Sequence, residues 1–275
     1  MTLSIITINY NNLEGLKKTI QSVVSQSSRD FEWIIIDGGS NDGSKELIEQ
    51  YAKYFSYWVS EPDKGIYNAM NKGIRIAKGD YVQFLNSGDW FYDETSLERC
   101  ISHGFTKDIE YGDLFFVDNQ GTRERSNYPK DLTIRFFYKY SLGHNATFIR
   151  RELLQSELYD ESYRIVSDWA FFLKQALNRR SFEHLDEIVT CFSTDGISSN
   201  NEEQVKQERE SVINSLLPDM LIKDFIKMDE MEQVLNNNHV KKVIDFGGSK
   251  KLYHKMITGC LLLIESINTI IKRRD

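Results

Sequence analysis

The chain predicts an α/β fold: a mainly parallel sheet with helices on both faces, followed by a helical C-terminal extension. Three observations carry this expectation. Residues 1–90 alternate short runs rich in Ile and Val with stretches of helical apolar spacing. The main apolar runs close on polar loops, and no Pro- or Gly-rich linker divides residues 1–200, which therefore read as one domain, with 201–275 as the extension.

Leu3–Tyr10 is Ile-rich and reads as a strand, after which Leu13, Leu16, Ile20, Val23 and Val24 recur at helical spacing behind Asn12 as N-cap. Phe31–Ile36 is the second strand. It closes on Asp37-Gly38-Gly39-Ser40-Asn41-Asp42-Gly43, where Ser40 or Asp42 can cap the helix carrying Leu47, Ile48 and Tyr51. Tyr57–Ser60 is a short strand, Ile66–Ala77 an amphipathic helix and Tyr81–Leu85 a further buried strand. Such alternation implies right-handed crossovers, with the polar loops on one edge of the sheet.

From about residue 105 the pattern becomes α+β. Ile109–Val117 and Thr122–Ser126 flank Asp118-Asn119-Gln120-Gly121 as a hairpin. Leu132–Tyr140 and Asp168–Leu177 read as helices, Ala146–Ile149 and Glu187–Phe192 as strands. In the extension, the charged run Glu202–Glu210 is a solvated helix face. Met256–Ile271 is apolar apart from Glu265 and Asn268, ends in Lys272-Arg273-Arg274, and is short for a hydrocarbon core of roughly 30 Å. It suits an interfacial helix in peripheral membrane contact, or one docked on the domain or on a second subunit of a homodimer.

With 275 residues, 40% hydrophobic and 27% charged, the composition is that of a globular protein. A net charge of −7 provides no basic field for nucleic acid, so an anionic ligand must be held by local groups. Cys100, Cys191 and Cys260 are far apart, which argues against a zinc site or a disulfide framework and suits a reducing compartment. No basic leader precedes an apolar stretch at the N-terminus, and the expected address is the cytoplasm.

The side chains able to carry chemistry gather on the loops. Asn86-Ser87-Gly88-Asp89 ends a buried strand with a carboxylate facing the crevice where open α/β sheets bind ligands, so a metal-held phosphate fits there, as does a plain turn. Asp37 can accept from a base N–H or a ribose hydroxyl, and Gly38 lets a ligand approach the backbone. Lys64 can meet a diphosphate, Asp63 can cap the following helix, and Asn71 can look into the same crevice. His144 is a metal ligand, an acceptor contact or structural. Asp168, at a helix start, is an N-cap or a general base. Gly196-Ile197-Ser198-Ser199-Asn200 is a candidate lid or a surface loop.

Ser4–Asn11 (SIITINYN), Ile36–Gly43 (IDGGSNDG), Glu61–Gly73, Phe84–Asp89 (FLNSGD) and Ser167-Asp168-Trp169 follow the order of a family 2 glycosyltransferase. The resemblance covers roughly residues 1–200 and is closest to the bacterial colanic-acid and capsular type, which has a similar Gly-Ile-Ser-Ser-Asn loop. It implies a GT-A (Rossmann-like) fold, inversion at the anomeric carbon, Mn²⁺ or Mg²⁺, and a nucleotide-sugar, a UDP-sugar ahead of GDP- or dTDP-sugars. Carried over by motif, Asn9, Tyr10 and Asp37 would line the nucleoside pocket, Asp89 would hold the metal and Asp168 would be the base. The residues themselves add Thr7, Gly38, Lys64, Asn71, Asn86 and Ser87 as candidate nucleotide-sugar contacts, His144 as a candidate further metal ligand, and Gly196, Ser198 and Ser199 as the candidate lid. Asn86 and Gly88 stand where many relatives have Asp.

No Gln-x-x-Arg-Trp element is present, unlike the processive synthases, so one sugar per encounter follows, onto a saccharide or lipid-linked saccharide in surface polysaccharide synthesis. The lone carboxylate of the turn motivates the alternative, a nucleotide-sugar binding or scaffold protein without turnover. A nucleotidyltransferase would want a basic Gly-rich loop after the first strand, and Asn9–Leu13 lacks one.

Overall fold

A computed structural model describes residues 2–118, 120–194 and 201–236. The predicted alternation is present. β1 (Leu3–Asn9), α1 (Leu13–Val24), β2 (Phe31–Asp37), α2 (Ser44–Tyr51), β3 (Tyr57–Ser60), α3 (Ile66–Ile76) and β4 (Tyr81–Phe84) follow in order. β5 (Trp90–Phe91), α4 (Ser96–Ser102), β6 (Ile109–Val117), β7 (Arg123–Arg125), α5 (Ile134–Lys139), β8 (Thr147–Arg150), α6 (Arg151–Ser156), α7 (Ser167–Leu177), β9 (Phe182–Ser193) and α8 (Glu202–Leu216) complete the first of two compact units, Met1–Leu216. In the second, Leu217–Asp275, α9 (Asp219–Asn236) is the described element.

The sheet runs β3-β2-β1-β4-β8-β6-β9-β5, with β7 on β6. β3, β2, β1 and β4 are parallel, β8 runs against both β4 and β6, and β9 is parallel to β6. Every residue of β1 is buried, as expected for a parallel strand covered on both faces. One face carries Leu3, Ile5, Trp33 and Ile35 against Leu16, Ile20 and Val23 of α1 and Ile48 of α2. Each such aliphatic side chain contributes about 1.5–3 kcal/mol on burial. The opposite face presents Ile6 to α3 at Gly73, where a Cβ would stand 2.6 Å from Ile6 Cγ2, so helix and strand approach closely.

The hairpin forms as predicted, β7 against β6, with Asp118 Oδ1 accepting from Gln120 N at 2.9 Å and Thr122 N at 2.8 Å. β9 starts earlier than the apolar pattern suggests, because the ladder to β6 shifts register around Gly112, and this bulge breaks the alternation. A Cβ on Gly112 would meet the Glu187 carbonyl oxygen at 2.7 Å.

The charged run Glu202–Glu210 is corrected in one respect. It lies on α8, and Glu208, far from a purely solvated position, accepts backbone N–H groups from Arg164, Ile165 and Val166 at 3.0, 3.0 and 3.2 Å. Three donors converge on one carboxylate, which periodicity cannot reveal. Among the described residues no helix is long and apolar enough to cross a membrane, and Met256–Ile271 lies outside them.

Gly79 offers a test of how tightly β1 and the approach to β4 are joined. A Cβ there would lie 2.6 Å from Ser4 N and 2.7 Å from Leu3 C, both backbone atoms that cannot step aside. Gly79→Ala is expected to lower unfolding stability by about 1–3 kcal/mol in urea titrations. A variant as stable as the parent would refute this packing account.

Candidate functional site

Parallel register brings three strand ends together, Asn9 beside Asp37 and Asp37 beside Ser60. Asp37 is fully buried and accepts four hydrogen bonds: Asn9 Nδ2 (2.7 Å) and Ser40 Oγ (2.6 Å) on Oδ1, Ser40 N (2.9 Å) and Ser60 Oγ (2.6 Å) on Oδ2. Burial opposes its charge, but the hydroxyls of Ser40 and Ser60, the Asn9 amide and the Ser40 backbone outweigh it and hold the carboxyl below its ordinary range. All the lone-pair directions of a carboxylate are thereby used. Asp37 organises the edge, and a ligand bonding to it must displace or share one of these partners.

The other predicted nucleotide contacts divide. Thr7 is fully buried and accepts from Trp33 Nε1 at 3.0 Å, so it serves the core. Tyr10 is 65% exposed, and a Cβ on Gly38 would touch its ring at 3.1 Å and Asp63 Oδ2 at 2.6 Å. The missing side chain at Gly38 is what allows an aromatic ring and a carboxylate to flank one patch of backbone. Asp63 also accepts from Gly65 N at 2.8 Å, and Asp42 accepts from Ser44 N (3.1 Å) and Leu13 N (2.8 Å), serving two helix starts. Lys64 is exposed on the same loop, its backbone N–H bonded to Asn68 Oδ1 at 3.2 Å.

The turn Asn86–Asp89 is pinned from below by Thr19 of α1. Its hydroxyl lies 2.7 Å from Asp89 O and receives Gly88 N at 3.0 Å, while Asn12 Nδ2 donates to Ser87 O at 3.0 Å. Gly88 adopts φ 105°, a conformation that favours glycine. Asp89 is buried. That burial pushes its carboxyl up to about 7, against the pull of the Ser193 backbone, the Asn145 side chain and Lys18, whose ammonium lies 2.9 Å over the Trp90 ring.

Buried polar atoms without a partner gather around this turn: Asn86 Oδ1, and both amide atoms of Asn145, which lies within reach of Asp89 but completes no well-formed hydrogen bond. One carboxylate with spare amide oxygens fits a hard divalent cation that takes the rest of its shell from phosphate and water. No group of three or more His, Cys, Asp or Glu side chains suited to a metal occurs among the described residues.

Asp168 stands in the first turn of α7, its side chain 26% exposed. Tyr67 Oη lies 2.8 Å from its Oδ1, and His144 Nδ1 lies 3.8 Å from its Oδ2. His144 Nε2 is 2.8 Å from Tyr159 Oη, and its ring packs on Phe84 with centroids 4.5 Å apart. Burial lowers the His144 pKa against the pull of Asp168, so the imidazole is neutral at neutral pH. His144 is thus brought to Asp168, and the described contacts do not bring it to Asp89 as a ligand.

Asn71 likewise differs from expectation. It is 1% exposed and spends its amide on Tyr159 O (2.8 Å), Glu161 Oε1 (2.9 Å) and Tyr159 N (3.0 Å), so it clamps the 159–161 loop.

The dipeptide His144-Asn145 joins the two halves of the site. His144 faces Asp168, Asn145 faces Asp89, and Gln83 Nε2 of β4 fixes the Asn145 carbonyl at 2.7 Å. Thr19, Asn145 and Glu208 have no sequence signal, since each acts through contacts made only on folding. Gly196, Ser198 and Ser199 lie outside the described residues.

The Asp89 environment has a measurable consequence. Unfolded, this carboxyl titrates near its ordinary value; folded, it holds its proton to about pH 7. Between those values the native state binds the extra proton, so this group's contribution to stability falls as pH rises and reaches its full cost above 7. In metal-free protein, Asp89→Asn should therefore gain on the order of a few kcal/mol at pH 8 and far less at pH 5 in urea unfolding. A gain independent of pH would contradict the buried, protonated carboxyl.

Comparison with known proteins agrees with this architecture. Residues 4–179 match the family described as Glycosyl transferase family 2. An uncharacterised glycosyltransferase of Mycobacterium tuberculosis is 35% identical over 210 residues, 73% of this chain and 78% of its own. A PGL/p-HBAD biosynthesis glycosyltransferase of Mycobacterium bovis is 30% identical over 206 residues, 72% of this chain and 76% of its own. Among solved structures, S. aureus TarS 1–349 in complex with UDP is 18% identical and superposes with a TM-score of 0.60 over 82% of this chain and 69% of its own. The Pyrobaculum calidifontis mannosyltransferase PcManGT, in complex with GDP-Man and Mn²⁺, is 13% identical, with a TM-score of 0.54 over 93% and 83%. The latter two share the GT-A fold. By the extent of the family match and the identity of these relatives, the chain belongs to glycosyl transferase family 2.

Proposed function

We propose that this glycosyltransferase moves one sugar from a nucleotide-diphosphate-sugar to a hydroxyl of a saccharide or lipid-linked saccharide, with inversion, in surface polysaccharide synthesis of the colanic-acid or capsular type. The observation that supports it best is the His144-Asn145 junction, whose adjacent residues face a buried carboxylate, Asp89, and a separate, partly exposed one, Asp168. Asp168 would take the proton of the acceptor hydroxyl as the acceptor oxygen bonds to the anomeric carbon. The bond from that carbon to the phosphate oxygen breaks in the same displacement, and the electron pair leaves with the nucleoside diphosphate. A single displacement of this kind inverts the centre.

General-base help of this sort is worth about 10²- to 10⁴-fold, and alignment by the rigid edge loops adds to it. Asp89 and Asn86 would hold Mn²⁺ or Mg²⁺, which would supply charge compensation to the departing diphosphate. A UDP-sugar is the first candidate, since TarS structures contain UDP and UDP-GlcNAc. Tyr10 and the backbone at Gly38 beside it would receive the base, with Lys64 near the diphosphate.

A second reading, binding without turnover, draws on the single carboxylate at Asp89 and its affinity for a proton. The two part on release of nucleoside diphosphate in the presence of acceptor. The transferase reading expects release that EDTA abolishes and Mn²⁺ restores; binding that stabilises the fold without any release would favour the second. UDP-, GDP- and dTDP-sugars screened with and without Mn²⁺ should identify one that raises the melting temperature, since a ligand selective for the native state does so.

Asp168→Asn should cut transfer by about 10²-fold or more while its thermal response to the same nucleotide-sugar stays near that of the parent. Transfer at the parent rate would remove Asp168 from the mechanism.

A further inference from the structure

We propose that helix α3 is the element that positions Asp168: Tyr67 fixes one carboxylate oxygen directly, and Asn71, one turn on, steadies the other side through Tyr159 and His144. The inference rests on the reading of Asp168 as the base. Tyr67 and Asn71 are four residues apart and so share one helix face.

Tyr67 is 4% exposed, and its Oη lies 2.8 Å from Asp168 Oδ1 and 2.5 Å from the Ile165 carbonyl oxygen. A phenol has one proton for these two acceptors, and an ionised carboxylate draws it more strongly than a carbonyl does. Burial, and then the Asp168 charge, hold the Tyr67 pKa well above its ordinary value, so the group remains a donor. Oδ1 is thereby occupied. Oδ2 is left to meet the acceptor.

The second arm runs through three side chains. Asn71 bonds both the N–H and the C=O of Tyr159, which fixes that residue's backbone. Burial raises the Tyr159 phenol pKa as well, so it keeps its proton, and its Oη lies 2.8 Å from His144 Nε2; in the proposed arrangement the phenol donates to that nitrogen. The remaining ring proton is then on Nδ1, the atom that faces Asp168 Oδ2 at 3.8 Å and has no other partner. At that distance the neutral imidazole biases the orientation of the carboxylate without forming the hydrogen bond that would consume its basic oxygen.

Tyr67→Phe removes one hydroxyl and nothing else. It should lower kcat by about 10- to 100-fold, the loss expected for a hydrogen bond to a charged group, with KM for both substrates within about threefold of the parent. The rise in melting temperature on binding nucleotide-sugar should match the parent's, although the unliganded fold loses stability with the buried hydrogen bond. Tyr159→Phe, which cuts the second arm but leaves the Asn71 clamp, should lower kcat several-fold with the same KM pattern.

Asp168→Asn measured beside them separates the two claims. If it retains parent transfer, the base assignment fails and this inference goes with it. If it is inactive while Tyr67→Phe keeps the parent kcat, the base stands and α3 does not position it. A loss in Tyr67→Phe that appears as raised KM, or as a smaller rise in melting temperature on binding nucleotide-sugar, would equally overturn the proposal, because it would mark a role in binding.

Discussion

The buried charge of Asp37 is the constraint on which the loops at the strand ends depend. A carboxylate removed from water is costly unless its lone pairs are met, and here all four acceptor directions are met by groups from three different segments. Asn9 comes from the end of β1, Ser40 from the loop after β2, and Ser60 from the end of β3. Ser40 reaches further, accepting from Asn11 N at 2.8 Å, and Asp42 ties the same loop to the start of α1. Parallel register alone would align the strand ends. The shared carboxylate makes their loops rigid enough to present Tyr10 and Gly38 at fixed positions.

A different kind of frame supports the Asp168 side. Phe84, His144, Tyr159, Phe171 and Phe172 form a chain of ring contacts with centroids 4.5 to 6.0 Å apart. Aromatic packing of this type contributes roughly 0.5–1.5 kcal/mol per pair beyond area burial and admits few alternative geometries. Glu208 completes the frame by gathering the three N–H groups just ahead of α7, so the backbone leading into Asp168 is held by a segment remote in sequence. The two sides meet at His144-Asn145, a single helical turn whose adjacent residues serve different carboxylates.

Much of the first half was legible in the sequence because its signals are local. The Ile-rich run of β1, the Asn12 cap, whose Oδ1 accepts from Gly15 N at 3.2 Å, and the carboxylates at strand ends all follow from short-range pattern. Elements such as β5, α4 and α6 escaped it, being two, seven and six residues long and too short to show a period. Glu208 and Asn71 misled for a related reason. A charged or polar residue at a helical position looks solvated until the segment that buries it is known, and in both cases that segment is the 157–167 region, remote in the chain.

The sequence by itself determined the α/β order, the family motifs and the placing of Asp37 and Asp89 at the sheet edge, since strand, loop and helix propensities act over a few residues. Only the tertiary structure decided that Asp37 is saturated, that Asp89 holds a proton to about pH 7, and that His144 belongs to Asp168. Burial, hydrogen-bond satisfaction and charge proximity depend on distances between residues far apart in the chain, and those distances exist only once the sheet has brought the helices and the 143–146 turn into contact with the strand ends.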